Sequence, residues 1–261
     1  MFNTWTQKYQ QKRGQTNLEG WGFDSGAECK TYLAERVRAK LQQSDSTTVL
    51  QEYLVEMADT GFDTSVLRKQ VETPPIAKDW EVGEAFAEVI LEDNFEASFP
   101  WPTSWDKRTP KASLPGPDMP GFHKKVSPRF LFGEVKSSSE AKSPPQVASS
   151  GNDCLCNQVK RLLTSHAHRQ QLIGWLLVRA QDSSRWKPIF DEALKRYADG
   201  EACICGVLVR GGLEPTSDDL APVQNALTAS VGTFDVMLLA FYLPFDKSKW
   251  VSLVYGMESE N

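Results

Sequence analysis

Apolar positions along the chain change period several times, and each change predicts an element. After Ser25-Gly-Ala-Glu28, whose serine and glutamate have the spacing of a capping box, Tyr32, Leu33, Val37 and Leu41 recur at helical intervals. Leu50, Tyr53, Leu54 and Met57 share one face of a second helix, from Thr48 to about Ala58, with Gly61 closing it. Thr73-Pro-Pro75 breaks the pattern. Residues 1–79 therefore read as a helical N-terminal region, and residues 80–261 as the main domain.

The main domain opens with a helix over Val82–Asn94. From Phe99 to Gly121 the chain is rich in proline and turn residues around Trp101, Trp105 and Pro110. RFLFGEVKSS, residues 129–138, has the length and apolar character of a central strand. Residues 137–153 are polar with two prolines and read as a surface loop, long enough to serve as a gate. NQVKRLLTSHAHRQQLIGWLLVRA is helical. The stripe Trp186, Ile189, Phe190, Ala193, Leu194 and Tyr197 marks another helix, stopped by Gly200. ACICGVLVRG reads as a strand buried on both faces. Asp218–Ala229 reads as helix, with FDVMLLAFYL and KWVSLVYGM as closing strands. The class is α/β, a mixed β-sheet core flanked by helices with a helical N-terminal extension.

Composition narrows the setting. The 261 residues are 40% hydrophobic, enough for one large domain with an extension. No apolar run reaches the roughly 20 residues of a membrane span, and the start lacks a signal core. Five cysteines do not suggest a disulfide framework, so a reducing cytoplasm is expected. The net charge of −5 counts against a protein that binds nucleic acid unaided, because phosphate neutralisation supplies most of such affinity.

The candidate chemistry lies in the 129–138 strand. Glu134 and Lys136 stand two apart, so both side chains share the face of Phe130 and Phe132. An apolar strand that turns charged at its end needs a partner for each charge or a metal. A lone E-x-K is common, and by itself fits a structural ion pair. Sixteen positions earlier, however, stands Asp118 in LPGPDMPGF, bracketed by Gly116 and Gly121. A hairpin from that segment into the strand would bring Asp118 and Glu134 together, and a divalent cation would relieve their repulsion. Mg²⁺ (or Mn²⁺) suits carboxylates with water and substrate phosphate. Lys136 would hold the attacking water or stabilise charge developing on the phosphate.

The order of a helix bearing Gly83-Glu84, then Pro117-Asp118, then an apolar strand ending in Glu134-Val135-Lys136 resembles the PD-(D/E)XK nuclease superfamily, whose fold is restriction-endonuclease-like. The resemblance covers roughly Val82 to Ala180. It implies a metal-binding set of Asp118, Glu134, Val135 and Glu84, with Lys136 as catalytic lysine and Glu88 as the alternative to Glu84. Gln158 is similar to the glutamine some members present toward the site. WPTSWDKR, SLPGPDMPGF and FLFGEVKSSSE also resemble the nuclease subunits of Hachiman-type anti-phage systems. That implies a helicase partner able to supply the DNA affinity an acidic chain lacks.

Other residues carry a bland reading beside the functional one. Lys111, Arg108 and His123 could meet phosphate, yet each fits an ordinary loop residue; His123 follows the Asp118 segment and is expected near the metal. Lys160 and Arg161 fit an exposed basic helix face, and Trp101 and Trp105 fit packing as well as base stacking. Cys154-x-Cys156, Cys203-x-Cys205 and His166-x-His168 have the wrong spacing for structural zinc. The expected function is metal-dependent DNA hydrolysis; the alternative is a catalytically inactive nuclease-like scaffold that binds a partner.

Overall fold

The computed structural model describes residues 5–42, 53–58, 60, 63–65, 76–100, 119–124, 126–227 and 233–257. Its strands are β1 (Trp5–Arg13), β2 (Thr16–Phe23), β3 (Ala97–Ser98), β4 (Met119–His123), β5 (Arg129–Ser138), β6 (Cys203–Gly211) and β7 (Asp235–Leu243). The labelled helices are α1 (Gly26–Tyr32), α2 (Arg38–Gln42), α3 (Asp79–Asn94), α4 (Gln146–Ser149), α5 (Leu155–Thr164), α6 (His166–Ala180), α7 (Trp186–Ala198), α8 (Ala221–Leu227) and α9 (Trp250–Tyr255). A π-helical stretch, Leu33–Val37, joins α1 to α2.

The strands form one seven-stranded mixed sheet, ordered β1-β2-β7-β6-β5-β4-β3. β2, β7, β6 and β5 run parallel, while β1, β4 and β3 pair antiparallel at the two sides. Parallel strands need both faces covered. Here α1, α2, α3 and α9 cover one face through Tyr32, Phe86, Ile90 and Trp250. Helices α4 to α8 cover the other through Ala148, Val159, Leu176, Phe190 and Val223. Every residue of β6 is buried, as its unbroken apolar run predicts. No helix among the described residues is long and apolar enough to cross a membrane.

The helical reading of residues 1–79 fails at its start. The chain opens with a β-hairpin, and β2 pairs along its length with β7. β2 does alternate, but two of its inward positions are Gly20 and Gly22, so the apolar period is faint. Gly20 is required there, since a Cβ would come 2.2 Å from the Tyr9 ring lying over it. β1 is an exposed polar edge and gives no apolar signal. The helix after Ser25 forms with Tyr32, Leu33 and Val37 buried, though the Ser25 side chain makes no cap bond. Of the expected Thr48–Ala58 helix, residues 53–58 are helical and the rest lies outside the described residues.

KWVSLVYGM is not a closing strand. It contains the helix α9, whose buried residues Trp250 and Val254 are four apart, with Gly256 at φ 65° ending it. A short apolar run satisfies either period, and only its packing against α3 and the π-helical stretch decides. The long helix expected across 157–180 divides at Ser165, whose side chain accepts a hydrogen bond from the His168 amide at 3.3 Å. Leu194 faces solvent rather than the stripe it was assigned to. Asp218–Ala229 resolves into a 3₁₀ turn, Ser217–Asp219, then α8; residues 228–232 are outside the described set.

Candidate active site

β5 alternates between the two cores. Phe130 and Phe132 pack with Leu155, Val159 and Leu162 of α5, whereas Leu131 and Val135 pack with Val82, Phe86 and Val89 of α3. By the same parity Glu134 and Lys136 belong to the α5 face. The Glu134 side chain is 5% exposed and its Oε1 lies 2.9 Å from Lys136 Nζ. Burial of that carboxylate beside an apolar core is tolerable because the ammonium lies against it.

Lys136 has a second acidic partner, Asp153, at 3.4 Å to Oδ2. Gln158 Nε2 donates to the other oxygen of that carboxylate at 2.6 Å. Glu134, Lys136, Asp153 and Gln158 thus form one connected polar group at the carboxyl end of β5. Gly206 explains how α5 comes so near. It pairs with Glu134 in the ladder, and a Cβ there would lie 3.0 Å from Val159, the residue after Gln158, and 2.9 Å from Leu238. Asp153 was not singled out from the sequence. Its signal is position alone: it stands just before Cys154, the residue that caps α5, and five before Gln158.

The loop 137–153 is more tied down than its composition suggests. β5 continues through Ser138, and Ala148 on α4 is fully buried. Arg210 Nη2 donates to the carbonyls of Glu140 (2.7 Å) and Lys142 (3.2 Å). The Ser139 hydroxyl accepts from the Lys247 amide at 2.8 Å. This segment is a tethered arm that carries Asp153 to Lys136.

Glu84 is half-buried in the first turns of α3, on the reverse face of the sheet from the Glu134 and Lys136 side chains. Its neighbour Gly83 sits against β5: a Cβ at that position would fall 2.1 Å from Ser137 Oγ. Helix start and strand end therefore meet, back to back. Glu88, the alternative, is held by Lys40 at 2.9 Å, which also lies 3.2 Å from Glu92. That buried cluster belongs to the α2–α3 packing.

Asp118 and Lys111 lie outside the described residues, as do Arg108, Trp101 and Trp105. The chain neighbour of Asp118, Met119, is fully buried and pairs with Gly133, the residue before Glu134. The expected hairpin into β5 is present as β4–β5. His123 does not lie near Glu134. It pairs with Arg129 at the opposite end of β5, five residues or roughly 17 Å away along the strand. Burial pushes its pKa down, and Lys124 adds to this. Lys160 and Arg161 are exposed on α5.

The cysteines are apolar filling. Burial raises the thiol of Cys203 to about 12 and that of Cys205 well above its ordinary value. Among the described residues, no three His, Cys, Asp or Glu side chains converge to hold a metal ion. No protein-family model matches the chain, and no curated protein does.

Proposed function

We propose that the chain is a metal-dependent DNA nuclease with a restriction-endonuclease-like centre of the PD-(D/E)XK type. In this reading it acts in the cytoplasm as the effector of an anti-phage complex, with a helicase as partner. The observation that carries the reading is the buried Glu134 paired with Lys136 at the carboxyl end of a parallel strand, the end where open α/β sheets bind ligands.

A hard cation suits the carboxylates of Glu134 and Asp118 with the Val135 carbonyl, whereas Glu84, on the reverse face of the sheet, is not brought to Glu134. Asp118 enters by sequence position, one residue before Met119. Bound there, Mg²⁺ (or Mn²⁺) would supply polarisation of the scissile phosphate and a more acidic water. Lys136 holds the water or counters charge developing on the phosphate, with Glu134 lying 2.9 Å from its ammonium. Gln158 donates from α5 toward the same place. The net charge of −5 leaves DNA recruitment to the partner.

The test is cleavage of DNA by the chain with its partner and Mg²⁺, for the wild type and for Glu134→Gln and Lys136→Ala. Each change should slow cleavage about a hundredfold or more, with unfolding curves separating lost catalysis from the stability that Lys136→Ala loses by stranding Glu134. Equal cleavage by the double variant would overturn the reading. One observation favours a second reading, a nuclease-like scaffold that binds a partner without catalysis: Lys136 already lies between Glu134 and Asp153 in a pair network that needs no metal. Calorimetry separates the two, since a scaffold would bind no divalent cation with Asp118 and Glu134 intact.

A further inference from the structure

The Asp153 carboxylate is gripped in a way that resembles a bound anion. Its two oxygens are taken by donors from two different elements, Lys136 of β5 and Gln158 of α5. A phosphate group presents oxygens to a cation and an amide in the same manner. The Asp153 side chain is 85% exposed, whereas that of Lys136 is 18% exposed. The anion therefore caps a mostly covered cation and faces solvent itself. The backbone beneath it is fixed, since Asn157 Nδ2 donates to the Gly151 carbonyl at 2.9 Å and the Cys154 amide to the same oxygen.

We propose that Lys136 and Gln158 form a cradle for a phosphate or phosphodiester anion, and that Asp153 fills it internally until such an anion displaces it. The identity of the natural anion as DNA rests on the nuclease reading; the cradle does not. Displacement is easy because an exposed ion pair is weak. It uncovers no apolar surface and leaves Lys136 beside Glu134. The cost to the incoming ligand is electrostatic. With Asp153 and Glu134 both flanking Lys136, the locality is negative before a phosphate arrives, so Asp153 lowers affinity both by occupying the donors and by repulsion.

Asp153→Asn removes the charge and keeps the shape, at a surface position that does not endanger folding. Binding of a short fluorescent oligonucleotide is measured by anisotropy at low ionic strength in EDTA, where no metal-dependent cleavage occurs. Inorganic phosphate is titrated separately by calorimetry. Asp153→Asn should bind about two- to fivefold tighter than the wild type, the gain shrinking as salt is added. In the Asp153→Asn background, Gln158→Leu or Lys136→Met should remove it. A gain for both probes assigns the cradle to phosphodiesters, and a gain for phosphate alone assigns it to free phosphate. Equal or weaker binding of both probes by Asp153→Asn would overturn the proposal, showing that Asp153 orients the donors or merely touches them. These results stand apart from cleavage: a chain that cuts no DNA with its partner and Mg²⁺ but gains anion affinity in EDTA keeps the cradle and loses the nuclease.

Discussion

Arg210→Met should cost about 3–5 kcal/mol of stability, because it would strand a carboxylate inside the protein. Arg210 and Asp219 side chains are 2% and 1% exposed, with Nε and Oδ2 3.0 Å apart. The Tyr242 hydroxyl lies 3.0 Å from the same carboxylate oxygen and 2.8 Å from the Thr216 carbonyl. Its single proton cannot serve both, so the guanidinium is the main counterweight to the Asp219 charge. The variant would also take the donor from the Glu140 and Lys142 carbonyls at the start of the arm bearing Asp153. At about 2–4 °C per kcal/mol for a domain of this size, the melting temperature should fall by about 6–20 °C. Urea unfolding followed by tryptophan fluorescence gives the free energy directly. The reasoning makes a second demand. Arg210 Nη1 and Asp219 Oδ1 are buried without a hydrogen-bond partner among the described residues, so the pair is imperfectly satisfied. Arg210→Met with Asp219→Leu should therefore recover most of the loss. A single variant within about 1 kcal/mol of the wild type, or a double variant no better than the single, would refute the account.

Trp250→Ala should destabilise by about 3–5 kcal/mol, since the indole is fully buried against α3 and donates to the Phe245 carbonyl at 2.9 Å; a loss under about 1 kcal/mol would contradict the placing of α9. Stability should also decline as pH falls below about 6.5, the ordinary imidazole value. Burial, then Lys124, hold His123 below that value in the fold, so the unfolded chain takes up the proton first and gains the free energy. Burial, then Arg161 and Arg169, act on His168 in the same direction. Urea midpoints at pH 7.5 and 5.5 should differ less for His123→Gln than for the wild type, and an unchanged difference would remove His123 from the explanation.

What could be read from the sequence was whatever a continuous apolar run or a clean period declares. β5, β6, β7, α3 and α7 are of that kind, and so is the shared parity of Glu134 and Lys136. β1 escaped because it turns only Trp5, Tyr9 and Gln11 partly inward, too few to show an apolar period. β2 escaped because two of its buried positions are glycines under the Tyr9 ring and the Lys8 stem. α9 was misread because six residues are too few to tell a strand from a helix. The site divides similarly. No local pattern says that α3 lies on the reverse face from Glu134, that Lys40 reaches Glu88 across 48 residues, or that a polar loop returns Asp153 to Lys136. Each is a product of tertiary packing.

The face of the sheet under α4 to α8 explains why polar chemistry gathers at one end. Along β5 it passes from Phe130 and Phe132 to Glu134, Lys136 and Ser138; along β6 from Ile204 and Leu208 to Arg210; along β7 from Leu238 and Ala240 to Tyr242. Ser138 pairs with Arg210, and Arg210 with Tyr242, so these residues form a row across the sheet, completed by Tyr9, whose hydroxyl lies 2.9 Å from that of Tyr242. The middle of the row and the β5 side next to it differ in access. Arg210 and Asp219 are closed off, and a ligand could reach them only by unfolding the cover. Lys136 keeps partial access, and its outer partner Asp153 is almost wholly in solvent. The middle of the row therefore acts as an internal brace, and any anion must arrive at the β5 end. The brace grips the Glu140 and Lys142 carbonyls at the start of the arm, whereas the backbone at Asp153 is held locally by Asn157 and the Cys154 amide. Arg210→Met should therefore lower stability more than it changes anion binding at Lys136, a difference that urea unfolding and oligonucleotide anisotropy on the same variant would read.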